Sequence, residues 1–209
     1  MDALTSLLAV ALVSILAVIS PGPDFAIVLK NSLVHSRKAG MLSAVGICLA
    51  LIIHLSYTLI GIGLLIAENP YLYSIIKYVG VAYLFYIGCK GVISSYNKAS
   101  SLDLEYTKSA NQISSTAALM QGFLTNLLNP KAAIFFISLF SQFIDSNTSV
   151  LLRLEYAFIN WSVALFWFLF LAYIVTCKHI LGKINQYRLY IDRVMGYALM
   201  LLGVRLLLV

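Results

Sequence analysis

The sequence predicts an all-α integral membrane protein, with six transmembrane helices arranged as two inverted three-helix repeats. Three observations carry this reading. Only 11% of the 209 residues are charged and 61% are hydrophobic, whereas a soluble domain carries about 25% charged residues. Charge-free runs recur at Ala3–Pro23, Met41–Ala67, Ser109–Pro130 and Tyr156–Cys177, each reaching the roughly 20 residues that a spanning helix needs. Two of the runs are broken by proline, at Ser20-Pro21-Gly22-Pro23-Asp24 and at Asn129-Pro130-Lys131.

Span 1 covers about 3–33 and is split at 20–23, and a basic turn, His35-Ser36-Arg37-Lys38, leads to span 2 at about 41–66. Span 2 carries Gly40, Gly46, Gly61 and Gly63, small residues that let membrane helices approach closely. After the turn Glu68-Asn69-Pro70, span 3 occupies about 70–94 and opens with Tyr71, Tyr73 and Tyr78 as interfacial aromatics. The one long polar stretch, about 95–115, reads as a cytoplasmic linker. It separates a first repeat, 1–94, from a second, 116–209. Span 4 runs over about 116–144 with its interruption at 129–131, span 5 over about 152–177, and span 6 over about 190–208.

The net charge of +6 is distributed asymmetrically. Lys30, Arg37, Lys38, Lys90, Lys98, Lys108, Lys178, Lys183, Arg188 and Arg193 fall on one side of a six-span chain, and only Lys77, Arg153 and Arg205 on the other. Ten against three is a positive-inside bias. It puts loops 34–40, 95–115 and 178–189 in the cytoplasm and both termini outside. These cations orient the chain in a bilayer and are not a nucleic-acid footprint. The N-terminus, Met1-Asp2, lacks a basic n-region and runs on into the first break, so it reads as a retained span. Cys48, Cys89 and Cys177 are odd in number and widely spaced, without a CxxC. They read as packing residues, with no disulfide framework, no metal site and no cofactor motif. No nucleophile–base set appears, so the chain is not read as an enzyme.

The halves resemble each other. Pro23-Asp24-Phe25-Ala26-Ile27 aligns with Pro130-Lys131-Ala132-Ala133-Ile134, and Gly88-Cys89-Lys90 with Gly203-Val204-Arg205. A three-span unit repeated once must be inverted in the membrane, and inverted repeats with one interrupted helix each point to a secondary transporter. Asn129-Pro130 is a helix-start pattern, with Asn capping and Pro at the first helical position. Gly22-Pro23-Asp24 reads the same way. Each break then exposes the N-terminal end of a half-helix, which attracts anions.

Equivalent positions carry Asp24 and Lys131. One carboxylate, one ammonium and two helix ends suit a zwitterion. The ammonium of an α-amino acid would go to Asp24, and its carboxylate to Lys131 and the amides, with Asn126 and Asn129 donating to the same carboxylate. The candidate site is therefore Asp24, Lys131, Asn126, Asn129, Pro21, Gly22, Pro23 and Pro130. His54 and Asp24 are candidates for a proton relay, and Asn160 for a cavity residue. The tyrosines and phenylalanines read as lipid-facing or packing residues. Two alternatives stay open: Asp24 and Lys131 pair simply to hold the halves together, or the chain is a passive channel or metal-ion exporter. Lack of saturation and of counterflow would mark a channel. The glycine faces of spans 2 and 3 fit packing within a monomer or between two copies.

Ser20-Pro21-Gly22-Pro23-Asp24-Phe25 and Gly122-Phe123-Leu124-Thr125-Asn126-Leu127-Leu128-Asn129-Pro130-Lys131-Ala132 resemble the two signature stretches of the LysE/RhtB family of bacterial amino-acid exporters. Ser138-Leu139-Phe140-Ser141-Gln142-Phe143 extends the likeness toward the threonine/homoserine branch. The resemblance covers essentially the whole chain. It implies an inner-membrane exporter of amino acids driven by the proton gradient, with the amino acid, the proton and the bilayer as partners. No further acid stands toward the middle of a span to receive a cationic side chain, so the expected substrate is a small neutral amino acid, threonine- or homoserine-like.

Overall fold

The computed structural model describes residues 3–96 and 113–177, and eight positions beyond: Tyr190, Arg193, Val194, Gly196, Tyr197, Met200, Leu201 and Val204. Residues 97–112 of the expected linker 95–115, the loop 178–189 and most of span 6 lie outside the described residues. Among the described residues the chain is helical throughout: α1 (Ala3–Ile19), α2 (Pro23–Val34), α3 (Arg37–Glu68), α4 (Pro70–Tyr96), α5 (Ser115–Leu127), α6 (Pro130–Phe143) and α7 (Val150–Ile174).

Two helical segments, Arg37–Ile62 and Val150–Ile174, are long and apolar enough to cross a membrane unaided. The pairs α1–α2 and α5–α6 reach the same standard as bent units, with bends of 55° and 53°. Proline makes both bends. It removes an amide donor, clashes with the preceding turn and drives the residue before it into extended backbone. Gly22 (φ −165°, ψ −171°) and Asn129 (φ −82°, ψ 105°) take that conformation, and Pro23 and Pro130 each open the next helix. The Asn-Pro device recurs at α4, where Asn69 Oδ1 accepts from Leu72 N at 3.0 Å. Ser114 and Ser149 cap α5 and α7, accepting from Ala117 N and Leu152 N, each at 3.2 Å. The basic turn is shorter than expected: α3 begins at Arg37, because Ser36 Oγ accepts from Ala39 N at 3.1 Å and starts the helix there.

Unlike a soluble bundle, the molecule is apolar on its outer face as well as in its core. On α1, Leu4, Leu8 and Leu12 face outward, at 69, 63 and 58% exposure, while Ser14 on the opposite face is 1% exposed. In water that arrangement would expose a long apolar stripe; in lipid it costs nothing. The buried serine still needs a partner, and Ser14 Oγ lies 2.6 Å from both Val10 O and Asn160 Oδ1.

Packing crosses between the halves. α3 lies mainly on α5 and α7, and α7 on α1 and α3, with further contacts of α3 to α6 and of α7 to α2. The α3–α5 crossing is a backbone-to-backbone contact. A Cβ on Gly46 would overlap the Leu119 carbonyl oxygen, and one on Gly122 the Ser43 carbonyl oxygen. Gly61, by contrast, meets nothing within 4 Å. The ends are tied by polar groups. Tyr156 at the start of α7 donates to Ser6 Oγ near the start of α1 at 2.8 Å. Arg37 at the start of α3 donates to Thr176 beyond the end of α7 at 2.7 Å, and stacks over Tyr173 at 4.4 Å. The starts of α1 and α7 therefore share one end of the bundle, and the start of α3 lies at the other. The core between them is apolar and aromatic, centred on Ile47, Leu139, Phe140, Tyr156 and Leu171.

Candidate functional site

The two breaks meet at the middle of the bundle, and each sends its first charged side chain to the other. Asp24, in the first turn of α2, accepts at Oδ2 from Asn126 Nδ2 (2.9 Å) and Asn129 Nδ2 (3.0 Å), at the end of α5 and the second break. Lys131, in the first turn of α6, donates from Nζ to the main-chain oxygen of Ser20 (3.2 Å) and to its hydroxyl (3.3 Å), at the first break. The Ser20 carbonyl is one of the unsatisfied acceptors past the end of α1, where a cation is favoured. Nζ also stands 3.4 Å from where a Cβ would sit on Gly22.

Asn129 uses both ends of its amide. Its Oδ1 accepts from Lys131 N at 3.0 Å, capping α6, while its Nδ2 holds Asp24. The start of α2 has no side-chain cap. Two acceptors are left over at the crossing: Asp24 Oδ1 and Asn126 Oδ1 are buried without a hydrogen-bond partner. A buried polar atom left unpaired costs about 1–3 kcal/mol, so the pair marks a place that a donor would fill.

His54 stands one step behind. Its Nε2 is 3.0 Å from the Asn126 main-chain oxygen and its Nδ1 is 2.6 Å from Tyr57 Oη. A carbonyl only accepts, so the hydrogen-bond pattern assigns the proton to Nε2. His54 thereby satisfies a carbonyl in the last turn of α5 and holds Asn126 in register. A carbonyl passes no proton onward, so this contact orients Asn126 and is not a continuous relay to Asp24.

A cavity of about 60 Å³ opens at the crossing, room for roughly four or five waters. Ser20, Gly22, Asp24, Asn126, Asn129 and Lys131 line its polar part. The structure thus brings together the charged and amide residues expected from the sequence, while Pro21, Pro23 and Pro130 serve by keeping the backbone broken. Asn160 also lines the cavity, with Nδ2 bonded to the Tyr156 carbonyl at 2.7 Å and Oδ1 facing Ser14. Two features went unread. Asn126 and Asn129 donate to Asp24 itself, where the sequence reading aimed them at a substrate carboxylate. Phe25, Phe135, Phe136 and Phe168, read as packing or lipid-facing, line the cavity. Their spacing held a signal: Phe25 adjoins Asp24, and Phe135 follows Lys131 by one helical turn.

Fold and site together define a multi-pass α-helical membrane protein with a polar crossing of two broken helices at its centre. Residues 15–209 match the LysE type translocator family, and the chain belongs to that family. It is 32% identical over 206 residues to the uncharacterized membrane protein YrhP of Bacillus subtilis, spanning 96% of this chain and 97% of that one. It is 34% identical over 150 residues to the threonine efflux protein of Escherichia coli K12, 70% of each chain. It is 32% identical over 134 residues to the leucine efflux protein of Klebsiella pneumoniae, 64% of this chain and 61% of that one. No solved structure matches it.

Proposed function

We propose that the protein exports a small neutral amino acid from the bacterial cytoplasm across the inner membrane. The observation that carries this is the pair of unpartnered buried acceptors, Asp24 Oδ1 and Asn126 Oδ1, beside an uncapped helix start and the Lys131 ammonium. An α-ammonium has three donors to give and answers the two acceptors. An α-carboxylate answers Lys131 and the first amides of α2, as discontinuous transporter helices do elsewhere. Among the described residues Asp24 is the one carboxylate lining the cavity, which argues against a cationic side chain. Relatives named for threonine and leucine efflux support the same class, and threonine and homoserine are within it.

The transport cycle is alternating access by two inverted repeats, coupled to proton entry. Nearly equal bends in α1–α2 and α5–α6, and the paired contacts α3 to α5 and α7 to α1, support the repeat. The basic loops 34–40, 95–115 and 178–189 face the cytoplasm and both termini face outside. Asp24 takes a proton on the outer side, which releases the substrate ammonium there, and returns it to the cytoplasm.

Efflux of preloaded radiolabelled neutral amino acids from cells, with membrane abundance checked for each variant, tests this. Lys131→Ala at equal abundance is expected to abolish efflux, and Asp24→Asn to remove its dependence on the pH gradient. Wild-type cells that empty no faster than controls for any amino acid would refute the export reading. Persistent gradient dependence in Asp24→Asn would refute the coupling.

A further inference from the structure

We infer that the site selects amino acids with branched apolar side chains over their hydroxylated isosteres, valine over threonine; this rests on the exporter reading above. The cavity is chemically divided. Its ionic and amide groups sit at the two breaks, while the wall beyond them is largely apolar and includes Phe25, Leu51, Phe135, Phe136, Ala164 and Phe168. All six are at most 8% exposed. A zwitterion held by its ammonium at Asp24 and its carboxylate at Lys131 projects its side chain away from both breaks, toward this wall.

The wall side chains offer neither donor nor acceptor. Asn160 is the cavity's one polar side chain away from the breaks, and its oxygen already faces the Ser14 hydroxyl at 2.6 Å. A substrate hydroxyl entering this region leaves water and meets only the Asn160 amide, already bonded to Ser14 and the Tyr156 carbonyl, whereas a methyl in the same place gains contact. The rings are also fixed. Phe135 and Phe136 meet edge to face with centroids 5.3 Å apart, and Phe136 packs against Phe140 at 6.2 Å and His54 at 6.4 Å. Ala17, Ala132 and Ala164 line the cavity with small side chains.

Valine and threonine have the same shape and differ by a methyl against a hydroxyl, so they isolate this wall. The full chain in proteoliposomes, loaded with unlabelled amino acid, is assayed for counterflow of radiolabelled valine and threonine. Valine is expected to half-saturate at a concentration roughly ten- to a hundredfold below threonine, the range over which an apolar pocket discriminates such isosteres. Ala164→Ser places a hydroxyl in the wall and is expected to narrow that ratio several-fold, by raising the half-saturating concentration for valine and lowering that for threonine. Threonine half-saturating at or below valine overturns the inference while leaving the exporter reading intact, and a ratio unmoved by Ala164→Ser overturns the assignment of the wall. If neither amino acid accumulates, nor glycine nor alanine, the exporter reading falls and this inference with it.

Discussion

The two breaks share a plan and differ in their caps. Both turn the chain by about the same angle, 55° against 53°, both restart the helix on proline, and both put a charged residue in its first turn. The second break is self-sufficient: Asn129 caps α6 with its own side chain. The first has a glycine in the capping place and no side-chain cap. The difference bears on where the proposed substrate carboxylate would go. A helix start satisfied by its own asparagine competes poorly for a carboxylate, whereas one left bare beside Lys131 Nζ is open to it. The site is thus lopsided although the architecture around it is paired.

The largest effect is expected from exchanging the charges. Asp24→Lys alone or Lys131→Asp alone sets like charges at the crossing and should reduce efflux about thirtyfold or more, since breaking a buried charge pairing costs about 2–5 kcal/mol. The double exchange restores one charge of each sign. If the breaks were equivalent, it would recover most of the activity; because they differ in capping, it should recover little. Labelled efflux normalised to membrane abundance decides between these. A middle effect is expected from Asn129→Ala, which uncaps α6, worth about 1 kcal/mol, and removes one donor from Asp24. Efflux should fall roughly tenfold, with a lower unfolding temperature in detergent. The smallest is expected from Gly22→Ser. Gly22 lies in extended backbone and its added Cβ meets only the Lys131 side chain, at 3.4 Å or beyond, so the change fits. The new hydroxyl would cap α2 and compete with the substrate carboxylate, raising the half-saturating concentration a few-fold at unchanged maximal rate.

Much of this was legible in the sequence, and for local reasons. Proline, glycine and asparagine dictate backbone within one or two residues, so Ser20-Pro21-Gly22-Pro23 and Asn129-Pro130 announce the breaks and the helix starts. What could not be read is pairing across the chain. The bonds from Asn126 and Asn129 to Asp24 span 102 and 105 residues, and no local pattern says that an amide is already committed to a carboxylate. The phenylalanines were hidden for another reason. In a soluble protein an apolar residue is drawn to the interior, but in a bilayer lipid, core and cavity wall all accept Phe. Phe166, 73% exposed, and Phe168, 4% exposed, are indistinguishable by composition alone.

The crossed bonds also govern how the protein is made. Asp24 leaves the ribosome about a hundred residues before the asparagines that hold it, an interval of roughly 5–20 seconds at ordinary rates of synthesis. Through that interval the first three helices carry a carboxyl group at membrane depth with its later partners not yet synthesised. Only when the second half has been made can Asn126 and Asn129 take up those hydrogen bonds. The hydrogen-bonded setting of Asp24 is thus a property of the completed chain and of neither half alone.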